Sequence, residues 1–204
     1  MAETGPGPRC LMLDVDGVLI HPRQGGSWAG TIAQDLRIDP EALQRVFFRP
    51  HWPAILSGQE ALDEVLARCL PSLRRDLTVA DFLDYWFSRD AQVDAAVLAA
   101  CDSLRAEGWR VFLATNQEPL RARYLMEELR LAPHVDGMLF SAGLGVAKPQ
   151  AAFFARAQAA AEVPREAIRF VDDTPANVRA AMAAGWDARL WQPGADLREM
   201  LRDW

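Results

Sequence analysis

Lysine is nearly absent from this chain: of its 22 basic side chains, all but Lys148 are arginines. Since guanidinium groups supply the other positive charges, an ammonium at this one position suits a need for a compact point charge against a phosphate or carboxylate. Cysteine is scarce too. Cys10, Cys69 and Cys101 are odd in number, far apart and without paired metal-ligand spacing, which argues against a zinc centre and a disulfide framework and reads as small buried hydrophobes in a reducing compartment. Excess positive charge is missing, with a net charge of -6 and a pI near 5.1, so neither a nucleic-acid backbone nor an anionic membrane is the expected partner. No stretch approaches the ~18 apolar residues of a membrane span. The opening, Met1 to Arg9, is polar and rich in glycine and proline, with no apolar signal core, and a cytoplasmic location is the expectation. Repeats, low-complexity segments and any signal of oligomeric state are likewise absent.

What is present is enough apolar material for a full core: half of 204 residues, room for one domain plus a sizeable insertion. Five short apolar runs read as buried strands: Cys10 to Leu13, Val111 to Ala114, Met138 to Phe140, Ile168 to Val171 and Ala188 to Trp191. Apolar on both faces, they suit the middle layer of a parallel sheet. Helical patterns lie between the last four, with starts at Pro119, just after Lys148-Pro149, and at the N-cap and first-turn pair Thr174-Pro175. Alternating strand and helix predicts a doubly wound, Rossmann-like α/β core with right-handed crossovers.

The gap between the first two strands breaks this rhythm. From about Ile20 to Asp90 no strand is expected; helix starts are predicted at Asp39-Pro40 and at Thr78, which has Asp81 three residues on in an acidic capping pattern. A crossover helix, Val93 to Glu107 and closed by Gly108, returns the chain to the sheet. The expected organisation is an α/β core of residues 1–19 and 91–204, interrupted by a helical cap subdomain over 20–90.

Ligands of a doubly wound sheet collect outside the carboxyl ends of its strands, and every polar motif here falls at such an end. Asp14 and Asp16 follow the first strand, Thr115 and Asn116 the second, Lys148 the loop after the third, and Asp172 and Asp173 the fourth. Positions i and i+2 of an extended segment point the same way, so Asp14 and Asp16 face one site, and Gly17 permits the turn. Four carboxylates at one sheet edge repel one another. A hard divalent cation, Mg2+, resolves that repulsion, and the hydroxyl, amide and ammonium of Thr115, Asn116 and Lys148 fit a phosphate. Phosphoryl transfer needs cationic groups, an in-line nucleophile and an acid for the leaving oxygen; Asp14 suits the nucleophile and Asp16 the acid.

In order, Asp14-Val-Asp16-Gly-Val, Thr115-Asn116, Lys148-Pro149 and Asp172-Asp173 resemble the four motifs of the haloacid dehalogenase (HAD) superfamily, across the whole predicted core. The insertion resembles the superfamily's helical C1 cap. The run from Asn116 through Tyr124 to Asn177 is similar to its sugar-phosphate phosphatase branch, the glucose-1-phosphatase-like proteins in particular. The resemblance implies that Asp14 forms an aspartyl-phosphate and that Asp16 is the general acid that later activates water. It also implies that the Asp14 carboxylate, the Asp16 backbone carbonyl and one of Asp172 and Asp173 hold Mg2+, and that Thr115, Asn116 and Lys148 contact the phosphoryl. Asp173 is expected to orient Lys148 or a metal-bound water. Dehalogenating relatives lack the second aspartate of the opening motif, so Asp16 points away from dehalogenation.

The expected activity is therefore that of a Mg2+-dependent phosphomonoesterase acting on a small-molecule phosphate ester such as a sugar phosphate. Two alternatives stand beside it: a phosphomutase using the same intermediate, and, from another class, a non-catalytic phospho-accepting or ligand-binding protein. In the insertion, Arg49, His51 and Trp52 cluster with Phe47 and Phe48. Aromatics at this spacing read first as a packed helical hairpin, but a histidine beside a tryptophan also suits a sugar pocket, which makes Arg49, His51 and Trp52 candidate substrate contacts. Arg23 and Trp28, flanking Gly25-Gly26, are candidates for a hinge or pocket mouth.

Overall fold

All five predicted strands are present in the computed structural model, which describes residues 9–23 and 25–202. Along the chain the strands are β1 (Cys10–Leu13), β2 (Ile20–His21), β3 (Gln92–Val93), β4 (Arg110–Thr115), β5 (Gly137–Phe140), β6 (Ile168–Asp172) and β7 (Asp187–Leu190). The main sheet has the order β5-β4-β1-β6-β7, and every pairing in it is parallel. The chain first winds outward through β4 and β5, then returns across β1 to add β6 and β7. Strand order thus reverses around β1, which puts the ligand crevice at the carboxyl ends of β1, β4 and β6. The expected doubly wound α/β fold is borne out.

β1 shows why its sequence is apolar throughout. Alternate side chains leave a strand on opposite faces: Leu11 and Leu13 pack with Val97, Cys101 and Leu104 of the helix Ala95–Ala106, whereas Cys10 and Met12 pack with Phe153, Phe154 and Ala157 of the helix Ala151–Ala161. All four β1 residues are fully buried. Each such aliphatic side chain contributes about 1.5–3 kcal/mol relative to exposure, and the middle strand gains this on both faces.

Between the first two core strands lie the helices Ile32–Asp35, Pro40–Leu43, Arg49–Leu56, Leu62–Leu73 and Val79–Arg89. A widened π turn, Gln44–Phe48, joins the second to the third, just before Pro50 and Pro53, which cannot donate to a helix ladder. These helices have a buried cluster of their own, including Phe47, Leu66, Phe82 and Trp86. Two of the predicted starts hold: Asp39 accepts from the Glu41 amide, and Thr78 Oγ1 accepts from the Asp81 amide at 3.1 Å.

Three local expectations are corrected. Ile20–His21 is a strand, pairing antiparallel with Gln92–Val93 and tying together the two chain passages that lead into and out of the helices; two residues are too short to show a period. Val93 therefore belongs to that ribbon, and the crossover helix starts after Asp94, whose carboxylate accepts from the amides of Ala96 and Val97. Thr174 does not cap its helix through its side chain; Asp172 Oδ1 takes the Thr174 amide at 2.7 Å instead.

Candidate active site

The turn after β1 is built on Gly17, at φ +81°, a conformation glycine adopts without the cost a Cβ would bring. A Cβ there would also lie 2.1 Å from Asp173 Oδ2, so the turn and the end of β6 are in direct contact. Together the ends of β1, β4 and β6 floor a cleft of about 450 Å³. Asp14, Asp16, Thr115, Asn116, Lys148 and Asp173 line it.

Lys148 is the charge centre. Its side chain is 1% exposed, and its ammonium lies 2.8 Å from Asp14 Oδ1, 2.6 Å from Asp172 Oδ2 and 2.8 Å from the Ala114 carbonyl. Those three contacts use all three ammonium protons. Desolvation works against its charge, but the carboxylates of Asp14 and Asp172 outweigh that and hold its pKa above the usual lysine range. Asn116 fixes the loop behind it: Asn116 Oδ1 accepts from the Lys148 amide at 2.8 Å and Asn116 Nδ2 donates to the Lys148 carbonyl at 3.0 Å. Asn116 thus orders the Lys148 loop with its Oδ1 and one Nδ2 proton, and it still lines the cleft.

Asp172, fully buried, also accepts from Asn177 Nδ2 at 3.1 and 3.0 Å. Lys148 therefore pairs with Asp172 and Asp14; of the two roles expected for Asp173, orienting Lys148 or a metal-bound water, the first is not seen, and Asp173 accepts from Thr174 Oγ1. Asp14 receives the Val15 amide and Lys148 on Oδ1, which among the described residues leaves Oδ2 for other chemistry. Burial pushes the Asp14 carboxyl upward, Lys148 opposes this and Asp172 adds to it. Asp16 opens to the cleft, with Gln117 Nε2 donating to its Oδ2 at 2.6 Å. Desolvation by the cleft walls raises its carboxyl too, against Arg121 and the Gln117 bond; cleft water moderates that effect.

Four carboxylates thus face one ammonium at this edge. Oxygen atoms of Asp14, Asp172 and Asp173 all lie within 4.8 Å of one another, and hard oxygen donors converging on an electrostatically uncompensated point fit a divalent cation such as Ca2+ or Mg2+. The arrangement pairs a possible carboxylate nucleophile with a second carboxyl two residues on, poised over the same space.

Arg49, His51 and Trp52 are not brought to this cleft. Arg49 is exposed and paired with Glu41, His51 pairs with Glu60 at 2.9 Å, and Trp52 packs on Phe48 and Trp86. Their candidacy as substrate contacts is withdrawn in favour of packing. Trp28 does line the cleft, joined by Asp90, Thr174 and Asn177; Arg23 does not. Sequence reasoning missed Gln117 and Asp90. Gln117 had a signal, since it lies two residues beyond Thr115 and so on the same side of an extended segment, whereas Asp90 ends a helix distant in sequence from every motif.

Comparison with known proteins agrees with this geometry. The sequence profile of haloacid dehalogenase-like hydrolases matches residues 8–185. No curated protein is similar enough in sequence to count as a match. Among solved structures, a HAD-like family hydrolase from Porphyromonas gingivalis superposes with a TM-score of 0.78 at 23% identity, over 96% of this chain and 97% of that one. A HAD family enzyme from Bacteroides thetaiotaomicron, in complex with magnesium and inorganic phosphate, gives 0.78 at 18% identity, over 96% and 100%. A dehalogenase gives 0.63 at 17% identity, over 94% and 88%, so the fold alone does not separate the two chemistries. With the profile spanning most of its length and the motif carboxylates meeting at one sheet edge, the chain belongs to the haloacid dehalogenase-like hydrolases.

Proposed function

We propose that this hydrolase is a Mg2+-dependent phosphomonoesterase that cleaves a small phosphate ester, such as a sugar phosphate, through an aspartyl-phosphate on Asp14. The observation that carries this reading is the acid pair after β1: Asp14 buried against Lys148 at 2.8 Å, and Asp16 open to the cleft under the Gln117 amide at 2.6 Å. Dehalogenation has no leaving oxygen to protonate and no use for the second carboxyl. Magnesium and phosphate in the Bacteroides thetaiotaomicron structure support the choice of ion and ligand.

In the first half-reaction Asp14 Oδ2 attacks phosphorus, the bond to the ester oxygen breaks, and Asp16 gives its proton to that oxygen. The upward shift of the Asp16 carboxyl favours the protonated form this step needs. In the second, Asp16 takes a proton from a water that attacks phosphorus; the bond to Asp14 breaks and inorganic phosphate leaves. Lys148 holds Asp14 in place and offsets part of the negative charge. Asp14, Asp172, Asp173 and the Asp16 carbonyl would hold the cation, which when bound keeps Asp14 ionised and spreads the charge of the moving phosphoryl.

We assign residues 1–19 and 91–204 to the catalytic core and 20–90 to a cap over the cleft; residues 1–8, 24, 203 and 204 lie outside the described part. No helix among the described residues is long and apolar enough to cross a membrane, and three buried, unpaired thiols fit a reducing cytoplasm. The test is phosphate release from an aryl phosphate with Mg2+, then with excess chelator. Release that stops on chelation is expected; unchanged turnover would refute the metal dependence, and phosphate retained for return transfer to substrate would mark a phosphomutase.

A further inference from the structure

The cleft has a second set of walls besides the strand ends. Pro22, Gly26, Ser27 and Trp28 come from the passage leading into the helices, and Asp90 from the passage leading out. For a phosphoryl group at Asp14, these residues are the remaining walls of the cleft available to the alcohol part of the ester. Among the described residues that line the cleft, Lys148 is the one cation, and its protons are already on Asp14, Asp172 and the Ala114 carbonyl. Apart from the cation the carboxylates would hold for the phosphoryl itself, no described side chain of the lining offers a free positive charge to an acidic group on the leaving alcohol.

Asp90 is held firmly in its place. Arg121, itself 4% exposed, stands behind it with Nη2 3.6 Å from Asp90 Oδ2. The same guanidinium donates to the carbonyls of Phe87 and Asp90 and lies over the rings of Phe87 and Tyr124. Arg121 offsets the negative charge here only in part: burial first and Asp16 next push the Asp90 carboxyl up to about 6 in spite of it. Trp28 is equally fixed, stacked on Trp86 at 4.7 Å and 19° and T-shaped against Phe82. It offers a rigid apolar surface in the same cleft as the Asp90 carboxylate, a pairing suited to a compact molecule that has both C–H faces and hydroxyls.

Building on the phosphatase reading, we propose that Asp90 and Trp28 select the leaving group: an uncharged, polyhydroxylated alcohol is accepted, and one carrying a second phosphate or a carboxylate is rejected. Asp90 accepts a hydrogen bond from a substrate hydroxyl, Trp28 covers the carbon skeleton, and like-charge repulsion excludes the acid.

A matched pair of esters tests this. Glycerol phosphate and phosphoglycerate differ by a hydroxymethyl against a carboxylate, and an aryl phosphate reports the core chemistry separately; where turnover is slow, inhibition constants against the aryl phosphate supply the ratio. Wild-type protein is expected to favour glycerol phosphate by at least about tenfold in kcat/KM, equivalent to about 1.4 kcal/mol. Asp90→Asn should bring the ratio close to one, chiefly through KM. A merely structural role for Asp90 would depress both esters alike and leave the ratio in place, which would overturn its assignment. Trp28→Phe, which keeps the charge, should raise KM for glycerol phosphate but preserve discrimination. Aryl phosphate turnover without discrimination between the pair overturns the selection while the phosphatase reading survives. No turnover of any ester overturns both.

Discussion

Replacing Lys148 by methionine keeps roughly the volume of the side chain and deletes its charge, leaving Asp14 and Asp172 buried without a counter-charge. Both carboxylates are within 2.8 Å of the ammonium, and the three groups are almost wholly enclosed. Breaking a buried pair by removing one member costs about 3–5 kcal/mol, because the remaining charge stays desolvated. For a domain of this size each kcal/mol moves Tm by about 2–4 °C, so Lys148→Met should lower it by about 6–20 °C without metal. The sign with pH follows from the raised lysine pKa: its contribution is complete below the unfolded value of about 10.4 and fades only as pH rises through the higher folded value. Because burial pushes Asp14 itself up to about 7, a mildly alkaline buffer, still below the lysine range, reads the effect with both partners charged. Millimolar Mg2+ should recover part of the lost Tm, since a cation among the same carboxylates supplies the missing positive charge. Differential scanning calorimetry with and without Mg2+ is the assay. A Tm within 1–2 °C of wild type, an interval corresponding to under about 1 kcal/mol, would refute the placement of Lys148 as the counter-charge.

Other perturbations separate the parts of the site. Asp16→Asn, which keeps the Gln117 contact but removes the transferable proton, should cost about 10²–10⁴ in kcat with little change in Tm; a loss below about tenfold in steady-state kinetics would assign the acid elsewhere. Gly17→Ala forces a Cβ into a left-handed turn and against Asp173 Oδ2, so calorimetric titration should show weaker Mg2+ binding alongside a stability loss of about 1–2 kcal/mol. Unaltered affinity would separate Asp173 from the metal.

The core was legible because burial on both faces writes itself into a strand as an unbroken apolar run, and all five runs formed strands. Motifs at strand ends were equally readable, since topology alone carries Asp14, Thr115, Lys148 and Asp172 to one edge. Pairing within the site was not. Asp172 and Asp173 are neighbours in sequence, and only the turn through Thr174 and Asn177 decides that Asp172 faces inward to Lys148. Arg49, His51 and Trp52 misled because local clustering says nothing about which face a helix turns toward the sheet. The aromatic face there closes on Trp86 and Phe48, and the charged groups find partners on the insertion itself. Asp90 was invisible for the opposite reason: it becomes a wall of the cleft only when the two-stranded ribbon brings the end of its helix back beside β1.

Covalent catalysis through Asp14 is tested most directly by trapping the protein during turnover. Acid quenching within the first turnovers of an aryl phosphate in Mg2+, followed by peptide mass spectrometry, should find one phosphoryl group on the peptide that contains Asp14 in wild type, and none in Asp14→Asn, which should also be inactive. Phosphate release by Asp14→Asn at close to the wild-type rate, or a phosphoryl group mapped to another residue, would contradict the mechanism.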